Sequence, residues 1–600
     1  MNDLDLLREY EPIARFTKGE AFLPMGVEEY VKESSLWLTG PTGKDRLLVP
    51  YGSLDVDRLV DFDEIPADHT MYLRYVDEPL EGLRFQRWLI DPKRERFSAP
   101  GRLARVPLFF RLADSFFDIS LFVRGQVPGG LAAAADLKTR TISSRDQRRV
   151  YFGRVVREGG WIALQYLFFY AMNNWRSGFF GVNDHEADWE QIFIFLADSE
   201  SGVPEPRWVA YASHDFKGDD LRRRWDDPLL VREGNHPVIF VGAGSHASYF
   251  EQGEYLMGAA PKAIQPVLGV FAWLRKFWIE TLGMGSAESL LRTGQAMLSV
   301  PFIDYARGDG VSIGPGQRET WTPVVISDDV NWVHNYRGLW GLDTHDPIGG
   351  ERAPAGPKYN RIGTIRQSWF DPIGWAGLDK VYPPDELQVE LAERLEVIQA
   401  GIKELDKGIA SGREILRQQA LDVDALKVTE YFNALREKKE VELRVAQAEL
   451  QALQGQRTEL VEIRLALESY SRRVARGDNG TPTAHLQHVH HPEPPLPEQH
   501  RVVEVWSAIS VAVILFGVVF LLIYQPANWP FWVIGLGVIL GAVEALTRSR
   551  FINFLLTIII ILAVIGAVIL VIEFWVWFLA LGLAGVALFM IWGNLQELRH

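Results

Sequence analysis

The 600-residue chain contains no cysteine. That absence removes disulfide scaffolds, thiolate zinc sites, iron–sulfur clusters and cysteine nucleophiles together. Basic charge is also short, with 62 Lys and Arg against 77 Asp and Glu and a net of -15. Nucleic-acid binding draws its affinity from neutralising phosphates, so no nucleic-acid partner is expected. The sequence has no Gly-x-Ser-x-Gly elbow, no phosphate-binding P-loop and no dinucleotide fingerprint. Serine hydrolase, NTPase and Rossmann readings are left without support. Asp3, Asp5, Glu9 and Glu11 stand where a secretory signal needs a basic and then an apolar stretch. Entry into a membrane is therefore expected from the C-terminal end.

What is present divides into four blocks, a multidomain pattern. Residues 1–382 are rich in aromatics, Gly and Pro, with short apolar runs between turn signals. Trp161–Tyr170, Gln191–Leu196, Trp208–Ala212 and Pro237–Val241 read as strands. No regular alternation of strand with long helix appears, so a mostly antiparallel β-sandwich is expected. Within it, 262–300 places Val267, Phe271, Leu274, Phe277, Trp278 and Leu282 at helical spacing. This reads as an inserted pair of amphipathic helices, either buried on the sandwich or touching lipid.

Residues 384–475 begin at Pro383-Pro384 and hold no further proline. Leu387, Leu391, Leu395 and Ile398, then Leu443, Leu450, Leu453 and Leu460, form apolar seams on charged helices. The pattern fits one coiled-coil rod or an antiparallel hairpin, and burial of the seam predicts a homo-oligomer. Residues 476–500 are Pro-rich and carry His485, His488, His490, His491 and His500. They read as a solvated linker, with transition-metal binding by the histidines as the alternative.

The remainder, 501–597, has membrane composition. Val502–Tyr524 can cross a ~30 Å hydrocarbon core at ~1.5 Å per residue. Phe551–Leu595 is twice one span, with Glu573 near its midpoint and Trp575 and Trp577 beside it. Four transmembrane helices are expected, at about 502–524, 531–547, 551–572 and 575–595. Arg501, Arg548, Arg550 and Arg599 then share one side, and the loops opposite hold no Lys or Arg. The positive-inside rule puts both termini and the large domain in the cytoplasm, with the lipid bilayer as a partner.

The densest polar constellation is Asn183-Asp184-His185-Glu186-Ala187-Asp188-Trp189-Glu190, running into Ile192–Leu196. In a strand Asp188 and Glu190 share one face and Trp189 packs on the other. With His185 at the mouth, two carboxylates and an imidazole suit a divalent cation. Oxygen ligands favour Ca²⁺ or Mg²⁺, and the histidine admits Mn²⁺ or Zn²⁺. A charged loop capping a strand is the alternative.

The run His185 to Glu190 resembles the core of the Gly-His-Arg-His-Asp-Trp-Glu signature of necrosis- and ethylene-inducing-like proteins. A wider set of motifs resembles the related vacuolar protein sorting-associated protein 62 family over about residues 8–376. These are Tyr10-Glu-Pro12, Gly19-Glu20-Ala-Phe22-Leu-Pro24, Gln165-Tyr166-Leu-Phe168-Phe169-Tyr170, Tyr211-Ala-Ser213-His214 and Gly244-Ser245-His246-Ala247-Ser248-Tyr249. Tyr336-Arg337-Gly338-Leu-Trp340-Gly341 and Gly356-Pro357 complete the series. The resemblance implies a β-sandwich holding a divalent cation at its edge through His185, Asp188 and Glu190, with His214 and His246 close by. Two departures stand out: Ala187 replaces the signature's second histidine, and Asn173 or Asn174 falls where the toxin-like relatives place a further acid.

Three functions follow from these features. The first is a membrane-anchored, oligomeric scaffold or binding protein presenting a cation-bearing sandwich at the cytoplasmic face. The second is a metal-dependent hydrolase, with His214 or His246 as general base. The third is a channel or transporter, which the scarcity of polar residues deep in the membrane helices disfavours.

Overall fold

The computed structural model describes residues 2–597 apart from 63–64, 67, 93, 100–107, 109–110, 113–114, 116–128, 176–183, 198–202, 214–216, 260–299, 343–352, 489–490, 495–499, 525–527 and 549–550. The expected helical insertion at 262–300 and the candidate base His214 therefore lie outside the described residues.

The centre of the N-terminal region is an antiparallel pair of long strands, Trp161–Asn173 and His185–Ala197. Around them a six-stranded sheet runs Trp321–Val325, Arg149–Glu158, Trp161–Asn173, His185–Ala197, Glu205–Tyr211, Arg222–Arg224. Its pairings are antiparallel except for Trp321–Val325, which joins Arg149–Glu158 in parallel. Leu164, Tyr166, Phe168 and Tyr170 pack against Ala14, Ile239, Val241 and Ile313 of a second sheet. This sheet holds Ile13–Arg15 parallel to His236–Val241, flanked by Ser312–Ile313 and Arg232–Glu233.

Two facing sheets fit the expected β-rich architecture, but the central sheet is covered on its other face as well. There Leu167, Phe169, Ala171 and Trp189 join Val27, Tyr30, Leu36, Leu38, Leu73, Ala132 and Ala135. Those partners come from helices Val27–Lys32 and Gly130–Arg145 and from a three-stranded sheet. The run Tyr166 to Met172 is apolar without alternation because both of its faces are buried.

Helices Pro384–Leu426 and Asn433–Val474 form an antiparallel hairpin, so the single rod is excluded. Gly401 lies against Leu460, Gly408 against Leu453 and Gly412 against Leu450, while Arg457 pairs with Asp406 at 2.6 Å. The glycines weaken helix propensity, yet they make the room into which the opposite leucines fit.

The stretch expected as a solvated linker is laid along the sheet region. Arg224 Nη1 donates to the carbonyls of Asn479 and Gly480 at 2.8 and 3.0 Å. His485 Nε2 meets the Arg222 carbonyl at 3.0 Å, with its ring edge-on to Trp208. Asp220 accepts from the backbone N–H groups of Gln487 and His488 and faces the His488 ring at 3.0 Å. His491 meets Glu251 at 2.9 Å, and the Glu493 N–H donates to the Glu254 carbonyl at 2.7 Å. His485, His488 and His491 each serve a different protein group, so these three do not gather around one ion.

Among the described residues three helices are long and apolar enough to cross a membrane: Arg501–Tyr524, Trp529–Thr547 and Ile572–Gln596. The last is the second half of Phe551–Glu597, whose backbone leaves helical geometry at Phe574 (φ -112°, ψ 21°), beside Glu573.

Gly408→Ala is expected to stabilise the hairpin by about 0.5–1 kcal/mol, because the added methyl meets Leu453 at an ordinary contact distance. Gly408→Leu should lower stability by crowding the same leucine. Hydrogen exchange of the hairpin amides in the full chain reads both signs.

Candidate functional site

The constellation at residues 184–190 opens the strand His185–Ala197 and pairs with the end of Trp161–Asn173. Tyr170 stands opposite Asp188, Met172 opposite Glu186 and Asn173 opposite His185. Trp189 packs as the alternation requires, among Phe169, Trp332 and Trp340. One residue breaks the strand's regularity: Ala187 has φ +59°, a left-handed conformation that costs an L-residue roughly 1–2 kcal/mol.

The two flanking acids have different surroundings. Glu186 is buried, and its carboxylate accepts the backbone N–H groups of Tyr75, Val76 and Leu342 at 3.0, 2.7 and 3.0 Å. Burial pushes its carboxyl up, and the three donors pull part of that back. Glu186 thus pins two other segments to the sheet end, a structural role that its place in the motif did not announce. Asp188 instead accepts from Asn173 Nδ2 and from His246 Nδ1, both at 2.9 Å on Oδ2.

His246 arrives on the turn Gly242–Ala247, closed by Gly242 N–H to the Ala247 carbonyl and His246 N–H to the Gly242 carbonyl. The turn needs Gly244 (φ +75°), where a Cβ would lie 2.0 Å from the Asn174 carbonyl oxygen. Its imidazole is fully buried and stacks on Tyr170 with centroids 3.8 Å apart and planes within 3°. Nε2 lies 3.9 Å from Glu20, whose carboxylate also accepts the N–H groups of Ala21, Phe22 and Gly244. Burial would push the imidazole down, but the hydrogen bond to Asp188 and the Glu20 carboxylate more than offset it and hold His246 at about 9. At neutral pH His246 already carries its proton, so a general-base role for it is not supported.

Arg366 supplies a second cation. Burial lowers its pKa, while the charges of Glu190 and Asp188 act in the opposite direction. Its Nε donates to the Tyr359 carbonyl at 3.0 Å. The candidate ligands are accordingly dispersed. Asp188 is spent on His246 and Asn173, Glu190 shares the field of Arg366, and His185 turns its Nδ1 to the Ala187 carbonyl at 2.8 Å. Among the described residues no group of three or more His, Asp and Glu side chains is placed to hold a metal ion. The imidazolium of His246 bonds Asp188, and the charge of Arg366 interacts with those of Glu190 and Asp188. Asn173 Oδ1, Asn174 Oδ1 and His246 Nε2 are buried and have no hydrogen-bond partner among the described residues. With Trp189 Nε1, also without a partner among the described residues, they are polar atoms that water or a small ligand could still engage.

Sequence reasoning found Asp188, Glu190 and His246 but not their partners Glu20 and Arg366, which reach the site from distant parts of the chain. Compared with protein-family models, curated proteins and solved structures, the chain finds no match.

A raised imidazole stabilises the fold while it is charged there and neutral in the unfolded chain. With His246 at about 9 against an ordinary value near 6.5, its contribution is full below pH ~6.5 and lost as pH rises through 9. It is worth on the order of 3 kcal/mol. Melting curves of the wild type and His246→Gln should therefore converge between pH 6.5 and 10, and a constant gap would refute the buried imidazolium. Asp188→Asn should cost about 3 kcal/mol, the scale for breaking a buried pair, with or without chelator. A chelator that lowers the wild-type melting temperature would instead restore the metal site.

Proposed function

We propose that this chain is a membrane-anchored scaffold or binding protein that holds its sheet region close to the cytoplasmic face and offers the helical hairpin to a partner. The observation that carries this reading is the set of contacts that residues 479–488 and 491–493 make along the sheet region. From Pro494 to the first membrane helix at His500, six residues extend at most about 20 Å. The sheet edge near Glu251 and Glu254 is thereby kept beside the bilayer rather than swung on a long tether.

The rest of the architecture agrees with this. Both termini inside, with four spans, is supported by Arg501, Arg548, Arg550 and Arg599 on one side and by the helix break at Phe574. A second copy as the hairpin's partner is supported by its exposed apolar tip. There Leu421, Val428 and Tyr431 are 72%, 80% and 90% exposed. The alternative hydrolase would need His214 as its base, because His246 is held protonated at neutral pH.

The test uses the full chain in vesicles, with a dye on the exposed position Gln252→Cys and an acceptor lipid in the bilayer. The absence of native cysteine makes the label specific. Efficient transfer is expected, falling sharply when 479–493 is replaced by a Gly/Ser sequence of equal length. Equal transfer in the two proteins would overturn the tether reading. A photo-crosslinker at Tyr431 should yield adducts of twice the chain mass, and monomer alone would remove the second-copy reading.

A further inference from the structure

Most of the surface of the first two membrane helices is apolar and open, as lipid contact requires. Their described buried residues are Ser507 and Ser510 on the first helix and Leu540, Glu544 and Ala545 on the second. Three of these five are polar, and they lie toward the end where the first helix begins and the second finishes. A carboxylate in an apolar helix is costly unless charge and hydrogen bonds surround it.

Glu544 has that surrounding. Arg548, one turn further on, donates through Nε to Oε1 at 2.6 Å. Trp506 on the first helix donates through Nε1 to Oε2 at 2.6 Å. The remaining donor comes from far away in sequence. Arg111 bonds through Nη2 to Glu544 Oε2 at 2.7 Å and through Nη1 to Ser507 Oγ at 2.6 Å. One guanidinium therefore engages both membrane helices, and Arg111 is itself only 3% exposed. A planar fork with fixed donors is suited to such a bridge, where a lysine would reach one partner at a time.

Arg548 and Trp506 already give Glu544 a countercharge and a donor on each oxygen. Arg111 is thus more than a neutraliser: it adds a second positive charge and a bond to Ser507 that neither helix could make for itself. We infer that the paired ends of the first two membrane helices form a docking site for the chain's own Arg111-bearing segment. This contact is a second, non-covalent attachment of the sheet region to the membrane. The covalent attachment through residues 494–500 sets how far the region can stray, and the Arg111 contact fixes which side of it faces the helices. The inference rests on reading these helices as membrane spans, but not on the docked stretch 479–493.

A double-mutant cycle on the full chain in lipid nanodiscs tests it. Arg111→Met and Glu544→Gln should each lower the melting temperature, and the double variant should fall no further than the worse single one. Strictly additive losses, or no loss in either, would overturn the inference. A second arm covers the case in which the single variants fail to fold. Leu112→Cys with Ala508→Cys, neighbours of the bonded residues, should join through a flexible bis-maleimide to give a faster-migrating monomer in native vesicles. Adding Arg111→Lys should cut that adduct roughly tenfold, the factor for losing one charged hydrogen bond. No adduct with Arg111 intact, or equal adduct with lysine, refutes the docking site. Because the Gln252 energy-transfer measurement depends on 479–493 and this one does not, either reading can fail while the other stands.

Discussion

Everything in the N-terminal region depends on one pairing, that of Trp161–Asn173 with His185–Ala197. Twelve residue pairs hold the two strands in register, from Trp161 opposite Ala197 to Asn173 opposite His185. Both strands carry long apolar stretches, Tyr166–Met172 and Ile192–Ala197, that reach both faces of the sheet and oblige a layer on each. One face receives the second sheet, and the other receives the short helices and the three-stranded sheet. Register also decides the chemistry at the end of the pair. A slip of one residue would turn Asp188 and Trp189 to exchanged faces, putting an acid among Phe169, Trp332 and Trp340.

The charges at that end are internal cross-links. Glu186 gathers three backbone donors from two segments, Asp188 takes His246 from a turn some sixty residues on, and Glu20 reaches the same imidazole from near the N-terminus. Removing one partner of such a group is costly, but replacing the whole set by well-packed apolar side chains is often neutral, since desolvation offsets attraction. Their effect is selectivity. Loops that could pack in many ways on an apolar sheet satisfy these acids in only one arrangement.

How much of this could be read from the sequence depends on whether the controlling signal was local. The strands around Trp161, Gln191, Trp208 and Pro237 were legible because aromatic and β-branched runs bounded by turn residues have few other uses. Trp189 was legible from simple alternation. The separation of Glu186 from Asp188 was not, because it follows from a left-handed Ala187, and alanine does not advertise that conformation as glycine would. The third layer was hidden in plain sight: the unbroken apolar run at 166–172 is what burial on both faces produces. Rod and hairpin share the same seam, and only the match of Gly401, Gly408 and Gly412 to Leu460, Leu453 and Leu450 separates them. The stretch 479–493 was misread because proline and histidine exclude regular structure without saying whether the backbone finds partners elsewhere. The cation expected at His185, Asp188 and Glu190 was inferred from residue types, which do not show the bond from His246 to Asp188 or the charge of Arg366 acting on Glu190.

The hairpin's length has a consequence for encounters between copies. At ~1.5 Å per residue its helices extend about 63 Å from the proline pair at their base. On the proposed reading of a membrane-anchored chain that pairs with a second copy, an arm of that size defines a capture radius. Two copies farther apart than about twice that length cannot touch tips, however sticky those tips are, whereas copies inside it search for each other at a high local concentration. Crowding in the membrane, more than the intrinsic strength of the tip contact, would then set how many copies are joined at any moment.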